Sequence, residues 1–307
     1  MRSRNSRIFL LKNRSARRPG SADDALREAS RTHTPSLKAF RSVVWRYWEK
    51  KGRHDLPWRK TKDPYRILVS EVMLQQTQVP RVIEKYKSFI KKFPTVKKLA
   101  GAKLVDVLKE WSGLGYNRRG KYLRDAAKQI VAKHKGKVPV VYSELVELPG
   151  IGQYTASAVR VFAFNERDVL IETNIRTVYI HHSHSNILQN TRMSDVEITP
   201  LATLAAKGQD PRTWHWAIMD YGAHLKRSGV RNNNRSAHYT KQSPFEGSLR
   251  QVRGAILRIL TKGGKDGVLT IPLIRPNKGY KRIVDKALAG LARDGLIVKQ
   301  KGKWRIA

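Results

Sequence analysis

Leu148-Pro149-Gly150-Ile151-Gly152 lies between two helical patterns, at about 142–148 and 152–164. Two glycines in a tight turn leave the backbone bare of Cβ atoms, so it can approach a ligand closely. The amides opening the next helix point outward with the positive end of its dipole, a cradle suited to phosphate. A helix, a hairpin and a second helix of this kind hold a DNA backbone without reading its sequence. A bare Gly-x-Gly is also an ordinary turn between helices, and a cation held by the hairpin carbonyls is a further option.

Outward from the hairpin, apolar spacing of three and four predicts helices at about 37–51, 65–75, 80–92, 104–111, 120–133, 174–181, 194–207 and 211–225. Val138-Pro139-Val140-Val141 is β-branched, but its proline makes it a linker. This is an all-α body of many short helices. Beyond Pro244, Leu249, Val252, Ile256 and Leu260 form one amphipathic helix, and Ile283, Ala287, Leu288 and Leu291 another. Leu296-Ile297-Val298 and Trp304-Arg305-Ile306 then flank Gly302 as a β-hairpin with Lys299, Lys301 and Lys303 at its tip. That order predicts a small winged-helix-like α+β module.

The chain has 307 residues, with Lys+Arg 62 against Asp+Glu 24 and a net charge of +38. Such an excess points to a polyanion as partner, nucleic acid ahead of acidic lipid. No apolar run approaches bilayer length, which excludes a transmembrane protein. Cys 0 excludes disulfides, thiolate zinc sites and thiolate-held iron–sulfur clusters. Residues 1–36 read as a disordered basic tail that adds phosphate affinity. An Arg- and Ser-rich start also leaves organelle targeting open; a prokaryotic source implies a cytoplasmic, nucleoid-associated protein.

Four blocks carry a family resemblance: Ser70-Glu71-Val72-Met73-Leu74-Gln75-Gln76-Thr77-Gln78-Val79, Gly113-Leu114-Gly115-Tyr116, Leu148–Gly152 and Met219-Asp220-Tyr221-Gly222-Ala223. In order and spacing, over residues 37–225, the chain resembles the A/G-specific adenine DNA glycosylases (MutY-like) of the helix-hairpin-helix glycosylase superfamily. The resemblance implies a two-lobed body, with a six-helix lobe at 64–164 that carries the hairpin. A second helical lobe at 37–63 and 165–244 corresponds to the iron–sulfur lobe of relatives, and the module at 245–307 follows. It implies a base-excision-repair enzyme hydrolysing the N-glycosidic bond of adenine mispaired with 8-oxoguanine or guanine. The partner is double-stranded DNA with a purine mismatch, and the expected state is a monomer.

Breaking an N-glycosidic bond through an oxocarbenium-like transition state calls for an acid at the base and a carboxylate at the sugar. A lone Glu71 reads as a helix-surface acid; the block around it makes it the proton donor, its pKa raised if buried beside Val72 and Leu74. The second carboxylate maps to Glu172, where the family has Asp. An added methylene moves the carboxylate by more than about 1 Å, enough to weaken catalysis about a hundredfold unless the loop retreats. Asn174 opens the next helix as in the family. Tyr154 stands where lyase-competent relatives carry lysine, so no Schiff base forms there and the product is an intact abasic site. Thymine-mismatch relatives also carry tyrosine here, so Tyr154 leaves the excised base open. Gln76, Thr77 and Tyr116 match residues that wedge into the stack and meet the opposite purine; Tyr116 also fits plain packing. Leu148, Gly150, Ile151 and Gly152 are the hairpin contact, and Trp58 and Arg59 match residues near the pocket.

Relatives hold a [4Fe-4S] cluster on four cysteines after the Met219–Ala223 block; with none here, neither cluster nor other cofactor is expected. The basic stretch 226–241 takes that place, either touching phosphates or serving as a solvated linker. His181, His182 and His184 suggest a metal, but no carboxylate stands at ligand spacing and no metal site is expected. Residues 245–307 are too few for the family's 8-oxoguanine-recognising domain; the module binds duplex or serves as a lid. Thymine removal at T/G mismatches and an inactive mismatch binder remain the competing readings.

Overall fold

The computed structural model describes residues 36–182, 193–230, 236–237, 244–262 and 278–307. The expected tail up to residue 35, His184 and most of the basic stretch 226–241 lie outside the described residues. Thirteen helices and one hairpin are described. They are α1 (Leu37–Lys51), α2 (Pro64–Leu74), α3 (Val79–Lys92), α4 (Val96–Ala100), α5 (Leu104–Trp111), α6 (Arg118–Lys133), α7 (Tyr142–Val146), α8 (Gln153–Val159), α9 (Thr173–His182), α10 (Asp195–Ala206), α11 (Pro211–Arg227), α12 (Leu249–Lys262) and α13 (Lys278–Arg293), then β1 (Ile297–Gln300) and β2 (Lys303–Ile306). The expected 152–164 helix is split, because α8 widens into one π turn at Arg160–Phe164. The five-residue α4 was not predicted; it is too short for periodicity to show. Among the described residues no helix is long and apolar enough to cross a membrane.

Local chemistry sets the boundaries. Asp63 caps α2, its carboxylate accepting from the Tyr65 and Arg66 amides at 2.8 and 3.2 Å, with Pro64 in the first turn where no amide is needed. Most of α2 is buried, from Tyr65 through Met73, so this helix is the spine of the molecule. One continuous core runs from Phe40 to Leu225 and includes residues of both expected lobes. Every 25 Å² or so of apolar surface it removes from water contributes about 0.6 kcal/mol.

A second core unites α12, α13 and the hairpin, and it takes Leu104 and Leu108 from α5. The C-terminal module is therefore seated on the body through shared apolar packing. Asp294 reinforces that seat, paired with Arg118 of the body at 3.3 Å and with Arg253 of the module. In the hairpin β1 pairs antiparallel with β2, Ile297 opposite Ile306 and Lys299 opposite Trp304. The turn falls at Lys301-Gly302, both with positive φ.

Candidate active site

Glu71 is the one acid of the largely buried α2 and is itself only 9% exposed. Burial pushes its carboxyl up to about 8; the charge on Glu172 raises it too, and the Arg59 cation opposes both. Glu172 stands just before α9 and acts as its cap. Its Oε1 accepts from the amides of Asn174 at 2.7 Å and Ile175 at 3.0 Å, and Oε2 accepts from Asn174 Nδ2 at 3.2 Å. Burial raises Glu172 as well, but those N–H groups and the cations Lys226 and Arg176 hold it down. Tyr154, from α8, sits close enough to feel both carboxylates, which together with burial push its phenol well above the usual range.

Such mutual electrostatic influence requires proximity, so α2, α8 and the start of α9 bring Glu71, Tyr154 and Glu172 close together. The environments also divide the labour. Glu172 has donors and cations to favour its ionised form, whereas Glu71 is mostly desolvated. Two interacting carboxyls with unequal surroundings titrate unequally, the proton favoured on Glu71 and the charge on Glu172.

Asn174 is held from three sides. It donates to Glu172, accepts at Oδ1 from Lys226 Nζ at 2.8 Å, and its backbone lies against Gly222 of α11. A Cβ at position 222 would lie 2.1 Å from the Asn174 carbonyl oxygen, so only glycine lets α9 and α11 meet this closely. Within the Met219–Ala223 block, Asp220 is equally structural. It is 1% exposed and accepts from Arg53 and from both Arg59 terminal nitrogens, at 2.8 and 2.9 Å.

The same arrangement shows how Trp58 and Arg59 are held. Trp58 is 5% exposed and packs edge-on to Tyr86 at 5.6 Å, so it is part of the core. Arg59 is buried between Trp48 and Trp216 and bound to Asp220. It reaches the site only as a field on Glu71. Lys226 was assigned to the basic stretch, yet it is half-buried beside Asn174 and Glu172.

Gln76 and Tyr116 lie on neighbouring loops and both adopt left-handed backbone, φ 53° and 44°. For residues with a Cβ this costs on the order of 1 kcal/mol each. Arg119, which sequence reasoning missed, holds the two loops together. Its Nη1 donates to the carbonyls of Val72, Met73 and Gln75 at 2.8, 3.0 and 2.6 Å. Its Nη2 donates to Thr77 Oγ1, Leu114 O and Gly115 O at 3.0, 3.2 and 3.2 Å. Thr77 is thus a tie between the loops, half-buried, while Gln76 is exposed and Tyr116 is 38% exposed. An arginine at the start of a helix carries no sequence mark of such a role.

At the hairpin, Leu148 and Ile151 are buried anchors, so only the backbone of Gly150 and Gly152 faces outward. Gly150 has φ +76°, and a Cβ there would meet Tyr122 Cβ at 2.7 Å. Gln75 Nε2 donates to Thr155 Oγ1 at 3.0 Å, joining the end of α2 to the hairpin's second helix.

A cleft of about 950 Å³ separates the Gln76 and Tyr116 loops from α12. Arg81, Arg250 and Arg258 line it, with no acid among its lining residues. As for metals, no group of three or more His, Asp or Glu among the described residues could hold an ion. His182 instead bonds the Tyr221 hydroxyl at 3.0 Å and packs edge-on against Phe40 and His181. A chain without a cysteine has no thiolate donors for the [4Fe-4S] cluster of its relatives, and its residues do not fit that group.

The pattern of the HhH-GPD superfamily base excision DNA repair proteins matches residues 69–228. This chain belongs to that superfamily. Among its relatives, the adenine DNA glycosylase of Buchnera aphidicola subsp. Baizongia pistaciae is 40% identical over 148 residues, 48% of this chain and 42% of the relative. The HhH-GPD chain thus spans less than half of that relative's length. The adenine DNA glycosylase of Mycobacterium tuberculosis is 31% identical over 274 residues, 82% of this chain and 88% of the relative. A thermostable thymine-DNA glycosylase shares the HhH-GPD fold at a TM-score of 0.53 and 24% identity, covering 66% of this chain and 96% of the other.

Proposed function

We propose that this protein is a monofunctional adenine DNA glycosylase of base excision repair, acting on adenine opposite 8-oxoguanine or guanine in duplex DNA. The observation that carries the reading is the proximity of Glu71 and Glu172, one mostly desolvated and the other met by N–H donors and cations. With a deoxyadenosine swung out against this pair, Glu71 delivers its proton to a ring nitrogen of the base. The C1′–N9 bond breaks, and its electron pair leaves with the protonated adenine. The Glu172 carboxylate faces the positive sugar, and water adds at C1′ while its proton returns to the site. Tyr154 offers a phenol and no amine, so the sugar stays bound to the DNA as an abasic site. The relatives named adenine DNA glycosylases support adenine as the base.

The protein's charge supplies duplex affinity, and the hairpin backbone grips one strand. Gln76 and Tyr116 fill the gap left by the extruded base. The arginine-lined cleft gives the C-terminal module a place on the duplex, which favours a binding role over a lid. We also propose that the enzyme works as a monomer and without an iron–sulfur cluster. The deciding experiment is a panel of duplexes bearing A·8-oxoguanine, A·G, A·C and T·G, assayed with and without alkali at two salt concentrations. Alkali-dependent cleavage at adenine supports the reading. Cleavage at thymine would replace it with a thymine glycosylase. Tight mismatch binding without cleavage leaves only a binder.

A further inference from the structure

We propose that Lys226 is a positioning residue for excision, holding Asn174 and Glu172 in working geometry and keeping the Glu172 carboxylate ionised. The inference rests on the glycosylase reading and adds to it a residue from α11, which carries neither carboxylate. Gly222 and Lys226 are four residues apart on α11 and therefore share one face. That face meets α9 at Asn174. Gly222 removes the side chain so that the backbones touch, and one turn later Lys226 closes over the same asparagine, Nζ donating to Oδ1 at 2.8 Å.

Asn174 then has a fixed orientation. With Oδ1 taken by the ammonium, its Nδ2 is turned to Glu172 Oε2 at 3.2 Å. Lys226 therefore acts on Glu172 twice, through this amide relay and through its own charge. The charged and titratable groups facing Glu172 are Lys226 from α11, Arg176 from α9, Tyr154 from α8 and Glu71 from α2. Tyr154 stays neutral. Arg176 shares its charge with Asp195, through bonds of 2.6 and 2.7 Å. Lys226 donates to a neutral amide, so its charge is not cancelled by that partner. Burial opposes ionisation of Glu172, and this cation helps offset it. The lysine also stands three residues past the block after which relatives place cluster cysteines. This chain fixes the same region with a charged hydrogen bond.

The test uses the full chain and single-turnover adenine excision from an A·8-oxoguanine duplex between pH 5 and 9, with enzyme saturating. Lys226→Met keeps the apolar stem and removes the cation; Lys226→Arg keeps the cation. In the Met variant, Glu172 protonates at higher pH. The acid limb then moves up by about one unit, and the rate on the limb falls by up to about tenfold toward lower pH. The Arg variant restores the limb to near wild type. Lys226→Met must also keep the wild-type circular dichroism spectrum and bind undamaged duplex within about twofold of wild type. A Met variant with an unmoved acid limb overturns the proposal, and so does a loss confined to duplex affinity.

A separate readout covers failure of the activity itself. With ¹³C-carboxyl-labelled glutamate and Glu172→Gln to assign the signal, the Glu172 midpoint must rise in Lys226→Met. If wild type excises no adenine, the functional reading falls, and this titration still decides the role of Lys226.

Discussion

Replacing Glu71 by Gln keeps the side-chain volume and removes the ionisable group. In the folded protein the Glu71 carboxyl titrates at about 8 instead of 4.5, so between those values the native state holds a proton that the unfolded chain has released. Stability from this group is full below the unfolded value and is lost as pH rises toward the folded one. At about 1.4 kcal/mol per unit, the loss is under about 1 kcal/mol at pH 5 and on the order of 4 kcal/mol at pH 8. Glu71→Gln escapes that loss, so its advantage over wild type grows with pH. Urea unfolding at pH 5 and pH 8 measures the difference. The same substitution removes the proton donor, and adenine excision drops by a factor of about 100 to 10,000. A stability difference that is flat across pH refutes the burial argument, and retained excision refutes the assignment of the acid. Gain of stability with loss of activity is the signature of a group kept for function.

Three further outcomes follow from the geometry. Arg119→Lys cannot reproduce a planar fork reaching six oxygens. Calorimetry is expected to show destabilisation on the order of 3 kcal/mol, with weakened mismatch binding and near-normal affinity for undamaged duplex. Gly222→Ala drives a methyl into the Asn174 carbonyl and moves α9 away from α11. Excision falls at least about tenfold, read in single-turnover assays, while DNA affinity changes little. Arg250→Ala and Arg258→Ala on α12 each lower the slope of log affinity against log salt by about 1 if the cleft holds DNA phosphates. Unchanged slopes make the module a support for α5 alone.

Much of this molecule is legible along the chain because the signals are local. Apolar spacing and proline or glycine punctuation mark the long helices, and the hairpin at Lys301-Gly302 follows from its flanking strands. Glu71 stands out as the one acid of α2, within a block specific enough to suggest its chemistry. What was not legible is of one kind. Trp58 and Arg59 belong to a matching motif, but their burial depends on Tyr86 and Asp220, far away in sequence. Lys226 sits at the edge of a basic stretch and reads as solvent-exposed. Only the contact of α11 with α9 turns it toward Glu172.

The sequence alone determined the polyanion preference, the helical body, the small C-terminal module and the impossibility of a thiolate cluster, since each depends on composition or short-range pattern. Tertiary structure decided that Glu71 is mostly desolvated and that Glu172 is met by N–H donors and cations. It also decided that Arg119 fastens two strained loops and that Leu104 and Leu108 seat the module on the body. Desolvation and electrostatic fields depend on distance through space, and residues as far apart as 71, 172 and 226 acquire those distances only when the chain folds.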